Sequence, residues 1–298
     1  MIALVTGASG FLGARVCAAL LDAGWEVRAT SRKQPGHALP ANPRLRWLRR
    51  DLAAQPLARA DIDGADVLFH LAGANGGAGL DERGFAEANE GLLVAALRAC
   101  AGHVRRVVHA SSQVVYGDAA SVSIREDWPL VPDSPYACSK INAENWLRQH
   151  QAREGIVCLS LRLTGFVEGG GAVSAFLDRA VADQPIEVLG NGTVRRDYLA
   201  AADGARAFVL AGEKPYEQGV FDAYNIGPGE TITTLELARL VRDEAGSRSE
   251  VVPVTRPAPR RDCGLDISKA RRELDFHPAP PAEAVRAFVR AWVEATAR

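Results

Sequence analysis

Short runs of apolar, often β-branched residues alternate with longer amphipathic segments through the first 165 residues of the chain. The runs at 2–6, 25–31, 45–49, 66–71, 105–111 and 156–163 predict strands. Between them, apolar positions recurring every three or four residues predict helices over 11–22, 84–101 and 136–153. The strand runs are apolar on both faces, the pattern of a parallel sheet covered by helices. The expected architecture is therefore α/β, a doubly wound parallel sheet. After Gly165 the pattern changes. Gly169-Gly170-Gly171, Gly190-Asn191-Gly192 and Gly227-Pro228-Gly229 punctuate shorter elements, and 253–259 reads as an irregular linker. The predicted division is a first domain over 1–165 and a smaller C-terminal α/β lobe over 166–298, with some segments of the latter returning to the sheet.

Charge narrows the partners. The chain of 298 residues carries 35 Lys+Arg against 36 Asp+Glu, a net charge of −1, which argues against nucleic-acid binding. No stretch free of Asp, Glu, Lys and Arg exceeds 14 residues, which argues against a membrane span. The first strand run begins at Ile2, where a secretory signal would otherwise stand. Cysteines at 17, 100, 138, 158 and 263 are scattered and form no C-x-x-C pair, so reduced thiols, a cytoplasmic location and no metal site are expected.

Chemistry first appears at Thr6-Gly7-Ala8-Ser9-Gly10-Phe11-Leu12-Gly13, a glycine-rich turn between the first strand and the first helix. Glycines let the backbone turn tightly and approach a pyrophosphate at the helix N-terminus. Gly7, Ser9, Gly10, Phe11, Leu12 and Gly13 are thus candidate dinucleotide contacts in a Rossmann-type sheet. The end of the second strand discriminates NAD from NADP. It carries Ser31-Arg32-Lys33, and no acidic residue occurs from Val27 to Arg50. A carboxylate is missing where NAD needs an acceptor for its 2′-hydroxyl, and Arg32 is present where a 2′-phosphate needs a cation. NADP(H) is the expected cofactor, with NAD(H) as the alternative. Asp51-Leu52, after the third strand, is placed to bind the adenine.

Two more motifs fall at C-terminal strand ends, where such sheets bind ligands. His109-Ala110-Ser111-Ser112-Gln113-Val114-Val115-Tyr116-Gly117 ends the fifth strand run, and Tyr136-Ala137-Cys138-Ser139-Lys140 opens the next helix. Tyr136 and Lys140, four apart, share a helical face. The ammonium is expected to lower the phenol's pKa and make it an acid or base, with Ser112 holding the substrate oxygen.

Together these residues resemble the extended short-chain dehydrogenase/reductases, most closely the nucleotide-sugar epimerase/dehydratase branch. The resemblance extends to His70-Leu71-Ala72-Gly73 and Asn89. It implies that Ser112, Tyr136 and Lys140 are catalytic. It also implies that Leu71, Ala72, Gly73, Asn89, Tyr136 and Lys140 contact the cofactor. Gly190-Asn191-Gly192-Thr193-Val194-Arg195-Arg196-Asp197-Tyr198 matches a segment whose arginine, here Arg196, contacts a nucleotide diphosphate. Arg256 matches a second such arginine, with Arg261 as its competitor. The family also pairs the helices at 84–101 and 136–153 across a homodimer, and Leu92, Val94, Leu97, Ile141, Trp146 and Leu147 supply apolar surface there.

Three departures refine the reading. Gly165 stands where these enzymes place a substrate-binding Asn. Gln113-Val114 stands where the 4,6-dehydratases carry an Asp-Glu pair, so dehydration is not expected. The loop at 74–79 is unusually small, which leaves room for a bulky or modified sugar. The expectation is NADPH-dependent reduction of a 4-keto nucleotide sugar. The alternatives are a nucleotide-sugar 4-epimerase and a carbonyl reductase resembling the dihydroflavonol type.

Overall fold

Seven strands assemble in the order β10-β7-β5-β4-β1-β2-β3, as seen in the computed structural model, which describes residues 1–33, 41–216, 219–256 and 261–296. They are β1 (Ile2–Thr6), β2 (Glu26–Ser31), β3 (Leu45–Arg49), β4 (Val67–His70), β5 (Arg106–Ser112), β7 (Val157–Leu163) and β10 (Phe221–Ile226). The pairings from β7 to β3 are all parallel. Strand order reverses beside β1, which opens the crevice where such sheets bind ligands. The chain divides into two compact units. The first comprises Met1–Gly117, Pro129–Leu163 and Ala205–Tyr224; the second comprises Asp118–Trp128, Thr164–Gly204 and Asn225–Arg298.

In the first unit, β4 and β7 are buried at every position, which explains why they are apolar apart from His70, Ser160 and Arg162. The covering helices are α1 (Phe11–Asp22), α2 (Arg59–Ile62), α3 (Glu82–Phe85), α4 (Leu92–Cys100), α5 (Pro135–Glu154) and most of α7 (Ala201–Glu213). A π-helical turn, Ala86–Gly91, joins α3 to α4. Local chemistry fixes the limits of α5. The Ser134 hydroxyl accepts from the Ala137 N–H at 3.2 Å, Pro135 presets the first turn, and Gly155 closes the helix at φ +65°. Leu4, Leu68, Val107 and Cys158, one row across the sheet, pack with Leu93, Leu97, Ala143 and Leu147 from α4 and α5. Each buried leucine contributes about 1.5–3 kcal/mol. Leu97 and Leu147 therefore belong to the unit's own core, and Val94, Ile141 and Trp146 remain partly exposed.

The second unit holds β6 (Ser121–Ile124), β8 (Ile186–Leu189), β9 (Arg195–Arg196), β11 (Ile232–Thr233), β12 (Val251–Val254) and β13 (Cys263–Leu265). Its helices are α6 (Ala172–Val181), α8 (Thr234–Glu244), α9 (Ser268–Leu274) and α10 (Pro281–Thr296). One sheet runs β11-β9-β13-β6, and β12 pairs with β8 alone. Val173, Leu177, Val188, Leu237, Val241, Val285 and Val289 form its core. The expected irregular linker is wrong at its start. Val251–Val254 is a strand, and Pro253, which lacks an N–H, is tolerated because a two-stranded sheet has only edges. The linker's 257–259 portion lies outside the described residues.

Candidate active site

The glycine turn is a cradle that side chains would fill. Gly7 has φ +69°, and a Cβ there would lie 2.6 Å from the Leu71 carbonyl and the Ala72 nitrogen. At Gly13 a Cβ would fall 2.1 Å from the Gly7 carbonyl oxygen, so only glycine lets α1 close onto the turn. Gly10 caps α1 with no side-chain hydrogen bond, leaving first-turn N–H groups to a ligand. These features fit a dinucleotide pyrophosphate at the N-terminus of α1. Ser9 and Phe11 are exposed beside it, and Leu12 is half-buried.

The next loop is locked from beneath. At Gly73 a Cβ would meet Asn89 Oδ1 at 2.5 Å. That oxygen accepts from the Ala74 N–H at 2.8 Å, and Asn89 Nδ2 donates to Ser139 Oγ at 2.8 Å. Asn89 thus ties Leu71-Ala72-Gly73 to α5, away from solvent. At the end of β2, the Ser31 hydroxyl donates to the Lys33 carbonyl, while Arg32 is exposed. Asp51 accepts from the Ala53 N–H at 3.1 Å, and Leu52 is buried in the core.

The structure brings Ser112, Tyr136 and Lys140 together at the ends of β5 and α5. Burial pushes the Tyr136 phenol up, and a hydrogen bond from Ser112 pulls it part of the way back. This corrects the expectation of a lowered phenol. The Lys140 ammonium is 5.8 Å from the Tyr136 ring centre and donates to the Ala110 carbonyl at 2.9 Å. The lysine moves the other way: burial lowers it to about 8, against an opposing pull from Glu144. Phe85 packs its ring 5.5 Å from the Tyr136 ring, and a Cβ on Gly76 would come within 3.1 Å of it. Ser111 faces elsewhere, donating to Glu144 Oε1 at 2.8 Å.

That glutamate belongs to a network the sequence reading missed. Glu144 also accepts from Ser160 at 2.9 Å and from Arg162 at 3.0 and 2.7 Å, and Arg162 reaches the Tyr116 hydroxyl at 2.8 Å. Burial works to raise Glu144, but Arg162 and the two serines hold it below the ordinary carboxylate range. The available signal was an arginine inside an otherwise apolar strand. The paired carboxylate tethers α5 to β5 and β7 a turn beyond Lys140.

In the second unit, Arg196 lies on β9 opposite Cys263 of β13, and its Nη1 is 3.4 Å from the Arg261 carbonyl. Arg261 also pairs with Asp118 at 3.1 Å. Arg256 is instead exposed and paired with Glu187 at 2.6 Å. The Arg196 guanidinium thus meets the backbone of Arg261, and the Arg256 and Arg261 side chains are each exposed and paired with a carboxylate. Asp197 is buried, accepting from the Thr164 hydroxyl and from the Leu265 N–H at 3.1 Å. A Cβ at Gly165 would meet nothing within 4 Å.

Fold and site define an NAD(P)-dependent short-chain dehydrogenase/reductase. The chain belongs to the NAD dependent epimerase/dehydratase family, whose profile matches residues 3–227. It is 31% identical to a 3 beta-hydroxysteroid dehydrogenase/Delta 5→4-isomerase of Mycobacterium tuberculosis, over 92% of this chain and 85% of that one. It is 28% identical to a dTDP-4-dehydro-6-deoxy-D-allose reductase of a Streptomyces species, over 99% of this chain and 94% of that one. A crystal structure of UDP-glucuronic acid 4-epimerase from Bacillus cereus in complex with NAD is similar at TM-score 0.83 and 25% identity, covering 98% of this chain and 100% of that one. No helix among the described residues is long and apolar enough to cross a membrane.

Proposed function

We propose that the protein reduces a 4-keto nucleotide sugar with NADPH, using Tyr136 as the acid. The observation that carries this reading is exposed Arg32 in the acid-free segment that follows β2, which suits the NADPH that a reductase must take up afresh each turnover. Tyr136, half-buried and hydrogen-bonded to Ser112, is the group placed to give the proton. Ser112 and Tyr136 hold the ketone oxygen, and the Tyr136 proton passes to that oxygen as it gains negative charge. Lys140, anchored on Ala110, places positive charge beside the phenol so that the phenolate left behind is stabilised. A nicotinamide held by the glycine turn and the 71–73 loop would supply the hydride. Asn89 holds the 71–74 loop, and Phe85 and Gly76 set the ring of Tyr136.

The preference for NADPH rests on exposed Arg32 at the end of β2 and the acid-free segment around it. Arg196 is the proposed diphosphate contact, with Arg256 or Arg261, both exposed, as the second. Gln113 and Val114 supply no acid pair for dehydration. Free cysteines suit a cytoplasmic setting, and partly exposed Val94, Ile141 and Trp146 suit a homodimer. The second reading, 4-epimerisation with a retained cofactor, is favoured by the similarity to the Bacillus cereus epimerase. The test supplies NADPH and a freshly made 4-keto-6-deoxy nucleotide sugar and follows reduced-nicotinamide absorbance. Stoichiometric NADPH oxidation with a 4-hydroxy product is expected. Interconversion of two saturated nucleotide sugars without net NADPH loss would overturn reduction in favour of the epimerase.

A further inference from the structure

A row of polar side chains crosses the first unit's sheet just above its apolar core. Thr30, Thr6, His70, His109 and Ser160 are paired in register across β2, β1, β4, β5 and β7. Two residues earlier on four of these strands stand Leu4, Leu68, Val107 and Cys158, which pack with α4 and α5. Alternation along a strand places the polar row on the same face, beneath α5. Ser160 confirms the placement by donating to Glu144 of that helix.

The two histidines are the unusual members. Both are fully buried, and their rings stack with centres 5.6 Å apart and planes 23° apart. His70 Nδ1 meets the Thr6 hydroxyl at 2.9 Å, but His70 Nε2 and both nitrogens of His109 make no well-formed hydrogen bond, the His109 ring coming only near the His70 backbone. An unsatisfied buried polar group costs about 1–3 kcal/mol, so native structures rarely leave three side by side. The Lys140 ammonium is the neighbouring charge. It rests on the carbonyl of Ala110, the residue after His109, and that bond uses one of its three protons. Burial and the Lys140 charge together keep both imidazoles neutral at physiological pH, His70 at about 3 and His109 well below the ordinary value. A neutral imidazole offers one bare nitrogen, an acceptor, and the ammonium has donors to spare.

We propose that His109 is a positioning residue for Lys140: its bare ring nitrogen accepts a hydrogen bond from the ammonium through one buried water, and holds the lysine charged beneath the catalytic tyrosine. The remaining imidazole N–H and His70 Nε2 complete the shell of that buried water or its neighbour. The titratable groups facing Lys140 are Glu144 and Tyr136 on its own helix and His70 and His109 on β4 and β5. Only Glu144 carries a charge of opposite sign, and Arg162 already holds both its oxygens. The proposal rests on Lys140 acting as an ammonium in the reaction above, but its test reads the lysine itself, so either can fail without the other.

The chain has four lysines, at 33, 140, 214 and 269, so a carbon-13 Cε titration of the cofactor-free protein resolves each one. In His109→Leu, Lys140 should become about tenfold more acidic, the equivalent of a weak charge-assisted hydrogen bond. In His109→Gln, which restores an acceptor, the titration should return to within about twofold of wild type. The alkaline limb of kcat should move in step, with KM for substrate little changed. An unaltered Lys140 titration in folded His109→Leu overturns the proposal. Should the leucine variant fail to fold, a high-resolution structure of the wild type decides. A single-water bridge between His109 and Lys140 Nζ supports the proposal, and a dry gap without contact refutes it.

Discussion

Replacing Lys140 by methionine separates what the site costs in stability from what it contributes to chemistry. Burial lowers this lysine from 10.5 to about 8. At 1.36 kcal/mol per tenfold change in acidity, holding the charge there at neutral pH costs about 3 kcal/mol. Methionine keeps the unbranched stem and removes the charge. It also removes the bond to the Ala110 carbonyl, and leaving that oxygen unpaired costs about 1–3 kcal/mol. Lys140→Met should therefore be as stable as wild type at pH 7, or more stable by up to about 2 kcal/mol, where truncations of buried residues usually destabilise. The gap should depend on pH with a definite sign. Below pH 8 the lysine is charged in both folded and unfolded chains. Between about 8 and 10.5 the unfolded chain keeps the proton and the folded chain loses it, so wild-type stability rises with pH across that window. The methionine variant has no such gain, and its advantage should vanish or reverse by pH 10. Thermal melts of both proteins without cofactor from pH 6 to 10 provide the comparison. A variant weaker than wild type by more than about 1 kcal/mol at pH 7, or a gap flat in pH, would refute the reasoning.

Other consequences follow from single contacts. Calorimetry should show NADPH binding roughly ten- to hundredfold tighter than NADH, and Arg32→Ala should abolish most of that difference; equal affinities in the wild type would exclude the role of Arg32. Glu144→Ala strands the buried Arg162 guanidinium, so urea unfolding should report a loss of about 3–5 kcal/mol, and a loss below about 1 kcal/mol would contradict the network's importance. Light scattering should report a dimer at micromolar concentration, with Trp146→Glu shifting it toward monomer; a wild-type monomer would refute the pairing of α4 and α5 across an interface.

The sheet was legible because parallel strands buried on both faces leave mostly apolar runs, and β4 and β7 are of that kind despite His70, Ser160 and Arg162. The proximity of Tyr136 and Lys140 was legible because four residues make about one helical turn. What spacing does not encode is solvation. The phenol was expected to fall beside an ammonium, but burial acts on both groups and moves them in opposite directions, the phenol up and the lysine down. Likewise, the meeting of the Arg196 guanidinium with the Arg261 backbone depends on which strand pairs with β9, a tertiary fact absent from local pattern. The histidine row escaped notice for a similar reason. His70 and His109 are 39 residues apart in the chain and become neighbours only through the register of β4 and β5.

The account stands most directly on Tyr136 as the proton donor. Tyr136→Phe keeps the ring against Phe85 and removes only the hydroxyl that meets Ser112. Single-turnover reduction and calorimetric cofactor binding should be measured on the same preparation. The account predicts a rate lowered by roughly 10²–10⁴-fold with cofactor affinity changed less than about threefold. A phenylalanine variant that turns over at close to the wild-type rate would contradict it.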